Sequence, residues 1–112
     1  MRVIDSSTLI KYLSREVGWK RAREIILGGV LTLDLAIKGV ASALWKKVLR
    51  GEMSFEPTLK IVRDLVEGKQ FPLESQEEYL AEAFEISVKS GVTIYDALFI
   101  ALAKRRFRAR NK

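Results

Sequence analysis

Apolar residues along this chain follow two spacings. Short aliphatic or β-branched runs at Arg2 to Asp5, Val30 to Leu33 and Gln70 to Leu73 fit buried strands. Between them the spacing becomes helical. Ser6, Ser7 and Thr8 supply hydroxyls to cap a helix from about Ser7 to Ser14, and Trp19 to Leu27 reads as a second helix stopped by Gly28 and Gly29. Asp34 is placed to cap a long helix carrying Leu35, Val40, Ala43, Leu44 and Val48 as far as Gly51. Ser54 opens a fourth helix, with Pro57 in its first turn. Ser75-Gln76-Glu77-Glu78 forms a capping box for a fifth through Leu80, Ala83, Phe84 and Val88 to Gly91, and Thr93 to about Arg106 is the sixth. Strands alternating with helices predict an α/β fold, a three-layer α/β/α sandwich around a short parallel sheet. After Leu102 no further β-branched run follows, so the sheet is expected to lack its last strand.

With 112 residues, 48% of them hydrophobic, the chain has enough apolar surface for one core: a domain over residues 1–103, with a basic tail, 104–112, continuing the last helix. Lys104, Arg105, Arg106, Arg108, Arg110 and Lys112 supply six of the 20 basic groups with no acid among them, which leaves 14 basic against 14 acidic groups in the body. The net charge of +6 is therefore a property of the tail, either a phosphate-binding arm or a solvated end that favours the helix dipole. No membrane span or secretion signal is legible, so a cytoplasmic location is expected. A 30% charged fraction with Asn111, Gln70 and Gln76 as the only amides leans toward a heat-adapted source.

There is no His and no Cys. Imidazole acid-base chemistry, thiol nucleophiles and Cys/His zinc sites are excluded, leaving carboxylates, hydroxyls, Lys, Arg and Tyr. Asp5 closes the first strand and Asp96 lies at the start of the sixth helix, positions from which acids gather a metal at one edge of an α/β sheet. Each also has a local explanation: Asp5 as an N-cap, Asp96 as the fourth residue of the capping-box-like Thr93-Ile94-Tyr95-Asp96. Gly39 has none, because glycine within a helix costs about 0.8 to 1 kcal/mol relative to Ala. Either close helix-to-strand packing excludes a Cβ there, or the position has drifted at a site no longer needed for catalysis. Trp19 and Trp45 suit a core or an interface, and Tyr12, Tyr79, Phe84 and Phe99 suit packing.

Three segments in order, Val3-Ile4-Asp5-Ser6-Ser7-Thr8-Leu9-Ile10, the Ala36 to Lys47 helix with Ala43-Leu44-Trp45-Lys46-Lys47, and Thr93-Ile94-Tyr95-Asp96-Ala97-Leu98, resemble the PIN-domain family, in particular the VapC-type toxins. The resemblance implies a Mg²⁺- or Mn²⁺-dependent endoribonuclease, usually a homodimer, that acts on RNA and is restrained by a VapB-like antitoxin, with no membrane partner. It implies Asp5 and Asp96 as metal-holding catalytic acids and Ser7 as the residue orienting the first of them. The family's second acid falls on Gly39, and the strand carrying its fourth lies beyond residue 112. A catalytically impaired nuclease is therefore expected, or alternatively a non-catalytic binding module. Lys104, Arg105, Arg106, Arg108 and Arg110 are the candidate RNA contacts. The open edge of the first strand favours a dimer.

Overall fold

The computed structural model describes residues 1–68 and 71–110. In chain order the elements are β1 (Arg2–Val3), α1 (Ser6–Leu13), α2 (Trp19–Leu27), β2 (Val30–Leu33), α3 (Leu35–Leu49), α4 (Phe55–Gly68) and β3 (Leu73–Glu74). A 3₁₀ turn (Gln76–Tyr79), α5 (Leu80–Ser90) and α6 (Ile94–Arg110) follow. The sheet order is β1-β2-β3, with both pairings parallel.

All four residues of β2 are buried, as a central parallel strand requires. Its side chains alternate between two cores. Val30 joins Ile4, Leu9, Val40 and Leu44 on the face covered by α1 to α4. Leu31 and Leu33 join Tyr79, Ala83, Ala97, Leu98, Ala101 and Leu102 on the face covered by α5 and α6. That division makes the molecule the expected three-layer α/β/α sandwich. Thr32, the polar residue of β2, spends its hydroxyl inside the protein: Oγ1 donates to the Ile4 carbonyl at 2.6 Å. With Ile4 N donating to the Leu31 carbonyl at 3.0 Å, this bond fixes the backbone that delivers Asp5.

Several local expectations change. The third strand is Leu73–Glu74 rather than Gln70 to Leu73, because Pro72 has no N–H for the ladder and contributes only its carbonyl, which accepts from Thr32 N. Gln70 itself lies outside the described residues. Asp34 does not cap α3 with its side chain. Its own backbone is already helical, and Oδ1 instead accepts from Gln76 N at 3.1 Å, replacing the cap expected from Ser75. On α5 the stripe Leu80, Phe84 and Val88 faces outward, while Ala83 meets Ala97 and Ala101 of α6. Small side chains let the two helices approach closely, and periodicity alone does not say which stripe turns inward. Trp45 is likewise exposed.

Among the described residues, no single helix is long and apolar enough to cross a membrane. β1 forms one edge of the sheet, paired with β2.

Thr32→Val keeps the shape of the side chain but leaves the buried Ile4 carbonyl without its donor. It should destabilise the chain by about 1 to 2 kcal/mol. Urea unfolding should show a lower midpoint at an unchanged slope.

Candidate active site

Parallel pairing carries the ends of β1 and β2 to the same edge of the sheet, the edge at which open α/β sheets bind ligands. Asp5 follows β1 there. Its Oδ1 accepts from Ser7 N at 2.9 Å and from Ser7 Oγ at 2.5 Å. The first bond caps α1 and the second holds the carboxylate's orientation. Both bonds fall on one oxygen, and Oδ2 makes no hydrogen bond among the described residues. The cap therefore makes no use of Oδ2.

Asp96 lies in the first turn of α6, next to Tyr95, whose hydroxyl meets Ser6 beside Asp5. Here the cap is Thr93, whose Oγ1 accepts from Asp96 N at 3.2 Å. A reciprocal capping box would also send the Asp96 carboxylate back to the Thr93 amide, and that bond is absent among the described residues. The Asp96 side chain is exposed and uncommitted. Its local explanation therefore accounts for the backbone and leaves the carboxylate unexplained.

Gly39, in α3, faces these two segments. A Cβ built on it would lie 2.7 Å from the Tyr95 hydroxyl and 3.0 Å from Ser6 Oγ. These two hydroxyls are 3.1 Å apart and hydrogen-bonded. A side chain at this position would have to push these hydroxyls aside; the contacts come from the starts of α1 and α6 and not from a strand. Tyr95 and Ser6 were missed in the sequence. The available signal was an unexplained helical glycine together with a tyrosine next to a candidate acid.

Among the described residues no group of three or more acids is placed to hold a metal. Asp5 Oδ2 and the Asp96 carboxylate are hard, solvent-facing oxygens. That donor set fits one largely hydrated Mg²⁺ or Mn²⁺ and does not fit a two-metal cage.

The cations of α6 sit elsewhere. At a helical rise of about 1.5 Å per residue, Arg108 lies roughly 18 Å along the axis from Asp96. The helix runs on to Arg110, and three of its cations dock against acids of the preceding elements. Arg106 Nη2 pairs with Glu74 Oε2 at 2.6 Å and Arg108 Nη2 with Glu82 Oε1 at 2.9 Å. Arg105 lies 4.0 Å from the centre of the Tyr79 ring, donates to the Glu78 carbonyl and pairs with Glu82. Three of the candidate RNA contacts are therefore engaged within the protein. Lys104 is exposed beside a shallow cleft with Ala103, Phe107 and Arg108. Nothing is described of the Arg110 side chain, and Lys112 lies outside the described residues.

The pattern matches the PIN domain over residues 2–106. The chain is also 35% identical, over 106 residues, to Ribonuclease VapC3 of Pyrobaculum aerophilum, an alignment covering 92% of this chain and 81% of the relative. The chain belongs to the PIN-domain family, among its VapC-like nucleases.

The network at the end of α6 has a pH signature. Burial, then a hydrogen bond to Glu74 and the charge of that carboxylate, push the Tyr79 phenol up to about 12. Burial also acts to raise Glu74, but hydrogen bonds from Tyr79 and Arg106 and the charges of Arg106 and Arg105 outweigh it and hold the carboxyl below 4.5. The raised tyrosine contributes stability that is complete below about pH 10 and is lost as pH rises through about 12. The depressed acid contributes stability present above about pH 4.5 and lost as pH falls through its folded value. Tyr79→Phe should be less stable than the parent at pH 8, and the difference should shrink between pH 10 and 12. Thermal melts of both proteins across that range measure it.

Proposed function

We propose that this chain is a metal-dependent endoribonuclease of reduced activity, with Asp5 and Asp96 as its metal-holding acids. The observation that carries the reading is that the hydrogen-bonded Ser6 and Tyr95, chain neighbours of Asp5 and Asp96, meet at Gly39, while Asp5 keeps one carboxylate oxygen and Asp96 both outside any hydrogen bond among the described residues. A divalent cation bound there would activate water and offset the charge building on a scissile phosphate. The protein's own groups do the rest. Ser7 fixes one oxygen of Asp5 and turns the other outward, and Thr93 caps α6 without drawing on Asp96. Oδ2 of Asp5 and the carboxylate of Asp96 are thereby left available to a cation.

Impairment follows from the number of donors: two acids leave more coordination sites to water than three or four would. RNA is the proposed substrate, a VapB-like antitoxin the proposed restraint, and the cytoplasm the proposed location. The open edge of β1 and the exposed Leu80, Phe84 and Val88 support a homodimer. With Arg105, Arg106 and Arg108 held by acids, an RNA contact at the end of α6 requires those pairs to exchange for phosphates.

A short single-stranded RNA incubated with the full chain and Mn²⁺ tests the reading. Slow cleavage that falls to background in Asp5→Asn and Asp96→Asn is expected. RNA retained without cleavage would favour the non-catalytic binding module, and cleavage that survives both substitutions would overturn the assignment of the acids.

Gly39→Glu tests the impairment. Its gain in helix propensity, below about 1 kcal/mol, is offset by displacing the Tyr95 hydroxyl, a bond worth about 0.5 to 1.5 kcal/mol. Metal-free stability should therefore stay near that of the parent. A third carboxylate that tightens Mn²⁺ tenfold would add about 1.4 kcal/mol at saturating metal. The melting temperature should accordingly rise more with Mn²⁺ in Gly39→Glu than in Gly39→Ala, which crowds the same hydroxyls without adding a carboxylate.

A further inference from the structure

Gly39, Tyr95 and Ser6 do more than meet. Ser6 is the chain neighbour of Asp5, and Tyr95 that of Asp96. The hydroxyl pair between them spans 89 residues of sequence, and among the described residues no other side-chain hydrogen bond joins the two segments. Each end is also held independently. The Tyr95 ring packs against Phe99, one helical turn on, with centroids 5.4 Å apart and planes tilted by 49°. Ser6 opens α1, whose first turn is capped by Asp5. The hydroxyl of Tyr95 reaches Ser6 by lying against the bare Cα of Gly39, since a methyl group there would come within 2.7 Å of it.

We infer that Tyr95 is a positioning residue, its hydroxyl seated against Gly39 and bonded to Ser6 so as to set the spacing between Asp5 and Asp96. The inference rests on the reading of those two acids as one metal-holding pair. The chemistry of the link suits that task. A lysine or arginine between two carboxylates would draw them together, but it would also neutralise the charge a cation needs to find there. Two hydroxyls bridge the segments without adding charge. Of their two protons one is spent between them, leaving the other free to donate outward. The tyrosine, 37% exposed, reaches the site from the same helical turn as Asp96, so a shift of its hydroxyl is a shift of the turn that carries the acid.

Mn²⁺ binding by the full chain, measured by calorimetry and by the loss of the free-ion paramagnetic resonance signal, tests this on the parent, Asp5→Asn, Tyr95→Phe, Ser6→Ala, the Tyr95→Phe/Ser6→Ala double variant and Gly39→Ala. Groups that orient metal ligands typically cost 10-fold or more in affinity when removed, so Tyr95→Phe and Ser6→Ala should each weaken Mn²⁺ by about tenfold. The double variant should be no weaker than either single one, because both remove the same bond. Gly39→Ala, which keeps both hydroxyls but crowds their seat, should weaken Mn²⁺ in the same direction. Metal-free melting temperatures separate positioning from plain packing. A contact that only holds the fold together lowers them and leaves affinity alone, and that result overturns the inference. Additive losses in the double variant overturn it too. A parent whose Mn²⁺ binding is absent or survives Asp5→Asn overturns the two-acid reading, and the positioning role with it. Asp5-dependent binding that is unchanged in Tyr95→Phe overturns the positioning role alone.

Discussion

The burial of β2 on both faces is the constraint from which the other contacts follow. A strand with no solvent-facing side needs a helical layer above and below, and its alternating side chains assign each layer its partners: Val30 to the α1–α4 side, Leu31 and Leu33 to the α5–α6 side. Thr32 is the exception in composition and conforms in chemistry, because its hydroxyl is satisfied by the Ile4 carbonyl. The same bond holds the end of β1 level with β2, and Asp5 inherits its place from it. The candidate site is thus an edge property of the sheet. Its acids come from two layers that meet only because β2 requires both.

How much of this was legible depends on the range of the interaction. Runs of one spacing, such as Val30 to Leu33 or the apolar face of α4, report local structure faithfully, and the element order and layering follow from them. Caps were less legible, because a side-chain oxygen can serve any amide within reach. Asp34 precedes α3 but serves Gln76, 42 residues later. The inward face of α5 was hidden because the deciding contact is between alanines, whose weak apolar signal is outvoted by Leu80, Phe84 and Val88. The positions of Asp5 and Asp96 were readable from their neighbours in sequence, whereas the Ser6–Tyr95 link between them was not.

The end of α6 shows how composition misleads when read without partners. Six cations with no intervening acid look like an unneutralised arm, yet Arg105, Arg106 and Arg108 meet their partners far off in sequence, on Glu74 and Glu82. Exposed pairs of this kind contribute little individually, about 0 to 1 kcal/mol each. Their arrangement around the buried Tyr79 is more specific. It ties this part of the helix to β3 and α5.

The seat of the Tyr95 hydroxyl on Gly39 also bears on how this site can change over generations. A side chain arriving at position 39 while the tyrosine is intact meets two hydroxyls that must move aside, and loss of the tyrosine hydroxyl first opens that space and leaves Ser6 to water, since the bond is exposed. Either order passes through a protein without the Ser6–Tyr95 bond. An acid at position 39 and that bond are therefore alternatives, and a chain of this kind carries the one or the other.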